Sequence, residues 1–67
     1  MDRFYEYKEV VGASAESFDQ AIREAVARAS ASGHELRWFE VQELRGRMQG
    51  GQGVEFQARL KIAYRSA

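Results

Sequence analysis

Phe18, Ala21, Ile22, Ala25, Val26 and Ala29 recur at the three-and-four spacing of one helix face. Asp19, Gln20, Arg23, Glu24 and Arg28 fall on the opposite side. This spacing predicts an amphipathic helix over residues 15–32. Its stripe is rich in alanine, so the helix can lie close to a sheet. Ser14 is placed to cap it, because a hydroxyl there can accept a bond from a free N–H of the first turn. The capping-box position then falls on Ser17, which carries no Glu or Gln. Glu16 suits the positive end of the helix dipole. Gly33 suits the left-handed conformation that commonly ends a helix.

The remaining segments alternate with a period of two. Val54 to Arg65 does so cleanly: Phe56, Ala58, Leu60, Ile62 and Tyr64 share one face, and Gln57, Arg59, Lys61 and Arg65 the other, with Ala63 the only apolar residue there. Leu36 to Met48 reads as its hairpin partner across the glycine-rich MQGGQG tip. Phe4 to Val11 is aromatic and β-branched, which suits a strand. Its alternation is poor, as expected of a strand covered on both sides. Gly12-Ala13-Ser14 reads as the break before the helix. The order is β-α-β-β, an α+β fold with a three-stranded antiparallel sheet, in one domain over residues 1–67.

One helix covers only one face of a small antiparallel sheet. The Phe56 to Tyr64 face matches the helix stripe, and Phe39 and Val41 belong with it. Trp38 is then left on the helix-free face with Glu40, Gln42, Gln57, Arg59 and Lys61. A tryptophan among polar neighbours can anchor a subunit interface. It can stack on a flat ligand whose edge the amides and charges fix. It can also be a half-exposed aromatic. The pattern alone leaves all three open.

Composition narrows the setting. Sixty-seven residues make a small core, and small domains usually add disulfides, a structural metal or oligomerisation. The chain has no cysteine and one histidine, so disulfides and a structural zinc site are excluded and oligomerisation remains. Ten basic side chains balance ten acidic ones, which argues against nucleic acid as the main partner. No apolar run approaches a membrane span. The opening MDRFYEYK has no apolar signal core, so a cytoplasmic location is expected. His34, following the helix, reads as a surface residue or a dipole partner. No nucleophile–base pair or phosphate-binding glycine loop is present, so no enzymatic activity is expected.

Three motifs occur together in this order: G-[TAS]-S-x-x-S-[FW] at Gly12 to Phe18, W-x-E-V at Trp38 to Val41, and Phe56-Gln57 on the last strand. With them, the chain from about Tyr5 to Arg65 resembles the dodecins, small flavin-binding proteins of bacteria and archaea. The resemblance implies three strands wrapped around the helix and twelve copies in a hollow shell. It implies flavins held as stacked pairs between symmetry-related tryptophans at two-fold interfaces. Carried over, Trp38 stacks on the flavin and Gln57 bonds its edge. Arg45 matches an arginine of FMN-binding bacterial members that archaeal members lack, and would hold the phosphate. Glu43 matches an acidic position near the ribityl chain.

The implied role is storage or sequestration of FMN, or of riboflavin or another flavin, with protection by quenching. A flavin-dependent oxidoreductase and a structural module with a decayed site are the alternatives. Arg3, Tyr5 and Arg65 match a coenzyme A site of some bacterial members. The chain departs from the family pattern there, with Glu6-Tyr7-Lys8 where a lysine pair is common, and Ala13 and Ala15 replace a common Thr and Glu.

Overall fold

The structure, a computed structural model, describes residues 3–66. Strand β1 (Tyr5–Ser14) leads into helix α1 (Phe18–Ser30), followed by β2 (Glu35–Met48) and β3 (Val54–Arg65). The sheet is antiparallel throughout with β3 in the centre, in the order β1-β3-β2. The β-α-β-β fold with one sheet and one helix is as the pattern predicts.

Two local expectations at the start of α1 are corrected. The N-cap is Ser17, not Ser14: its hydroxyl accepts from the Gln20 N–H at 3.0 Å. Gln20 therefore takes the capping-box place that counting from Ser14 assigned to Ser17. Ser14 instead ends β1, and its Oγ accepts from the Glu16 N–H at 2.9 Å. Gly12 is likewise no strand break. It is a buried, paired residue of β1, opposite Ala58. A Cβ there would fall on the Ala21 carbonyl oxygen and within 2.8 Å of the Ala25 Cβ. The glycine exists so that α1 can lie directly on β1.

The alanine stripe produces that close approach. Ala21, Ala25 and Ala29 are buried against Ala58, Leu60 and Ile62 of β3, with Val10, Ile22, Val26 and Leu36 packed around them. Among the described residues, only Leu60 and Ile62 are large and fully buried. At the other end of α1, Gly33 takes a φ of +89°, as its sequence position suggests.

The helix sits over β1 and β3 and barely reaches β2. Phe39, Val41, Leu44 and Met48 of β2 are therefore exposed, by 46, 44, 48 and 80%. Phe39 and Val41 lie on the helix side of the sheet, as expected, but no helix covers them. The molecule is long, 55 × 20 × 13 Å, because the β2–β3 hairpin projects past the helix. Its radius of gyration is 13.8 Å. A compact domain of this length would have about 11 Å.

Candidate functional site

The helix-free face of the sheet carries Trp38 and most of the polar side chains that the sequence singles out, and two irregularities in β2 decide which ones. The register against β3 slips between Leu36 and Trp38 and again between Val41 and Glu43. Each slip inserts one extra residue, Arg37 and Gln42, and each extra residue reverses the alternation that follows. Strict alternation from Trp38 would put Gln42 on the helix-free face and send Glu43 and Arg45 to the helix side. With the second slip, Gln42 drops out of the pairing. Glu43 stands opposite Arg59, and Arg45 opposite Gln57. Trp38, Glu40, Glu43 and Arg45 thus share one face with Gln57, Arg59 and Lys61.

Two clusters occupy this face. The first is built on Trp38. Its partner on β3 is Ala63, and the partner of Ala63 on β1 is Tyr7. Ala63 is fully buried and small, so the aromatic side chains of both edge strands meet across it. The Tyr7 ring centroid lies 6.1 Å from the Trp38 ring at 86°, and the Tyr5 ring 5.1 Å away at 61°, both edge-on arrangements. Glu40 Oε2 accepts from the Tyr7 hydroxyl at 2.6 Å and from Trp38 Nε1–H at 3.4 Å. Those two bonds, the Tyr7 one foremost, and then Lys61, hold the Glu40 carboxyl below the usual carboxylate range. The same bond to Glu40 raises the Tyr7 phenol. Lys61 Nζ lies 5.3 Å from the centre of the Tyr7 ring. Trp38 remains 42% exposed.

The second cluster lies at the hairpin end. Val11, Glu43, Arg45, Gln57 and Arg59 line a hollow of about 290 Å³. Arg45 Nε donates to Gln57 Oε1 at 2.6 Å, and Gln57 Nε2 donates to Glu55 Oε1 at 2.7 Å. The Gln57 amide is therefore held in one orientation. Arg59 stands between Glu43, at 3.6 Å, and Glu9, at 3.8 Å. One bond from Arg45 to Gln57 leaves most of the guanidinium's five donors for an anion.

Trp38 and Gln57 share this face but do not meet within one chain. Trp38 is level with Ala63 and Arg45 with Gln57, six residues earlier in β3. At the strand rise of about 3.4 Å per residue, the two levels are about 20 Å apart along the strand. No single flat ring system spans that gap.

Of the residues matched to a coenzyme A site, Tyr5 and Arg65 are direct cross-strand partners on the same face, at the Trp38 end. Arg3 is exposed just before β1. His34 is an exposed surface residue, as expected, and its ring lies against that of Tyr64, with centroids 4.2 Å apart and planes tilted by 30°. Sequence reasoning put Glu40 and Ala63 on the face of the indole but missed Tyr7 as its neighbour. The Glu40 of W-x-E-V was visible, but a partner on β1 requires the strand order.

Comparison with known proteins gives a consistent picture. The Dodecin family model matches residues 4–67. Dodecin of Thermus thermophilus is 42% identical over 66 residues, spanning 97% of this chain and 94% of that protein. The structure of dodecin from Streptomyces davaonensis is similar with a TM-score of 0.92 and 40% identity, covering 100% of this chain and 98% of that one. A calcium dodecin of Mycobacterium tuberculosis, described as having a novel calcium-binding site, is similar with a TM-score of 0.87 and 25% identity, over 96% and 91% of the two chains. Among the described residues of the present chain, no three or more His, Asp or Glu side chains are gathered as for a metal ion. No described helix is long and apolar enough to cross a membrane.

Proposed function

The chain belongs to the dodecin family, and on that premise we propose that it binds flavin, FMN in particular, between copies of itself, as a storage and quenching protein and not as an enzyme. The observation that carries this reading is the split face: an exposed, edge-braced indole at one end and an amide beside a guanidinium at the other, about 20 Å apart along the strand. One chain supplies two halves of different sites. Two copies apposed about a two-fold axis would bring the indole of one over the amide of the other. Such an apposition also covers the exposed aromatics of this face. Further copies, twelve in the family's arrangement, would cover Phe39, Val41, Leu44 and Met48.

The residues fit a flavin. An indole matches a flat, electron-poor ring system, and an amide offers both a donor and an acceptor to a pyrimidine-like edge. Bound flavin would supply the light-absorbing, redox-active group. Trp38 stacks on it and, being electron-rich, quenches its excited state. Gln57 fixes its edge in the orientation that Arg45 and Glu55 impose. Arg45 neutralises a phosphate, and Glu43 lies where a polyhydroxyl chain would run.

Titrating the protein into FMN, riboflavin and lumichrome and following their fluorescence tests the reading. Saturable quenching near one flavin per chain is expected. Absence of quenching for all three would reduce Trp38 to an interface anchor. Arg45→Ala separates the phosphate from the ring: FMN affinity should fall roughly tenfold, for one charge-assisted contact, while riboflavin affinity stays level. An equal loss for both ligands would remove Arg45 from the phosphate.

A further inference from the structure

We infer that Glu40 and Tyr7 form a clamp that sets the Trp38 indole in its stacking orientation before any ligand arrives. The inference deepens the flavin reading and rests on it. Three observations carry the clamp. One carboxylate oxygen, Glu40 Oε2, receives both the Tyr7 hydroxyl and the Trp38 Nε1–H. The Tyr7 and Tyr5 rings meet the indole at steep angles, 86° and 61°, so they brace it without stacking parallel to it. Ala63 is the only residue between the two edge strands at this level, and its methyl leaves room for Tyr7 to reach across β3 to Glu40.

A long side chain on an exposed sheet face ordinarily samples several rotamers. Ordering it on binding costs affinity. A bond on the indole nitrogen and two edge contacts remove that freedom in advance. Glu40 and Tyr7 are thus positioning residues: they act on the ligand through Trp38.

The clamp needs the carboxylate. Tyr7 from β1, Trp38 from β2 and Lys61 from β3 all favour the charged form of Glu40; Glu9, level with Lys61 on β1, is the nearby acid and is turned to Arg59. A carboxyl held low keeps its contribution above the ordinary glutamate range and loses it as pH falls through the lowered value. The clamp should therefore loosen on the acid side of that range.

Trp38 is the only tryptophan, so its fluorescence reports the clamp directly in ligand-free protein. The experiment compares wild type with Tyr7→Phe, Glu40→Gln and Glu40→Ala, each first matched to wild type in size and circular dichroism. Time-resolved anisotropy should show a restricted indole in wild type and faster local motion in Glu40→Ala. Glu40→Gln, which can still accept a bond, should restore part of the restriction. FMN affinity should fall about tenfold in Glu40→Ala and less in Tyr7→Phe, which keeps the ring and loses only the hydroxyl. Wild-type emission should titrate below the ordinary glutamate range, and that titration should vanish in Glu40→Gln. Unchanged anisotropy in Glu40→Ala, or an emission titration that persists in Glu40→Gln, would overturn the clamp. Wild-type protein that quenches no flavin would instead remove the flavin reading, while the ligand-free anisotropy still decides the clamp.

Discussion

Gly12→Ala is expected to destabilise the protein by about 3 kcal/mol or more, at the upper end of overpacking effects. The new methyl would occupy the space of the Ala21 carbonyl oxygen, and the Ala25 Cβ stands 2.8 Å from it. Neither atom can move without α1, because one belongs to its backbone and the other is bonded to it. Lifting α1 would strip the contacts of Ala21, Ala25 and Ala29, which are half the buried cluster. A core with only two large, fully buried side chains among the described residues has little to offset that loss. Gly46→Ala is the matched control. Its methyl would lie 3.4 Å from Val54 Cγ1, close to ordinary contact, so the cost should stay below about 1 kcal/mol. Denaturant midpoints of the three proteins at one fixed chain concentration measure the difference. Fixed concentration matters because association contributes to apparent stability. Equal midpoints for Gly12→Ala and wild type would mean that helix and strand are further apart than described.

Trp38→Ala is expected to lower flavin affinity by roughly 100-fold, about 3 kcal/mol, in the range of an aromatic anchor at the centre of an interface. The loss has two sources: the stacking area itself, and the edge contacts of Tyr5 and Tyr7, which would then have no indole to brace. Trp38→Phe should bind better than Trp38→Ala, because a ring remains. It should quench less than wild type, because phenylalanine is the poorer electron donor and has no N–H for Glu40. Affinities by flavin fluorescence and emission yields at saturation separate the two effects. An alanine variant that binds and quenches like wild type would place the ligand elsewhere.

Much of this was legible in the sequence for definite reasons. The three-and-four spacing of Phe18 to Ala29 and the strict alternation of Val54 to Arg65 each have one structural meaning. Together they place Trp38 and Gln57 opposite the helix. The failures were local and physical. Ser14 and Ser17 are both good caps, and only the geometry of the chain leaving β1 chooses Ser17. A glycine before a helix reads as punctuation, yet Gly12 is a packing residue, which depends on what lies above it. The slip at Gln42 shows only as a change of apolar spacing, from two between Phe39 and Val41 to three between Val41 and Leu44, and it turns Glu43 and Arg45 toward Gln57. The resemblance to dodecins pointed to those residues without explaining how alternation could deliver them. The Tyr7–Glu40 contact joins two strands separated by a third, and no local signal encodes it.

The central claim is that a single chain holds half of each flavin site. Sedimentation velocity, recorded at the protein and the flavin absorbance bands across a dilution series of the FMN-loaded protein, tests it most directly. The flavin signal should travel only with a multi-chain species, at up to one flavin per chain. Dilution that yields single chains should release the flavin with them. Flavin that sediments with a single chain would contradict the account, because the roughly 20 Å along the strand between the levels of Trp38 and Gln57, estimated from the strand rise, would then have to be bridged within one molecule.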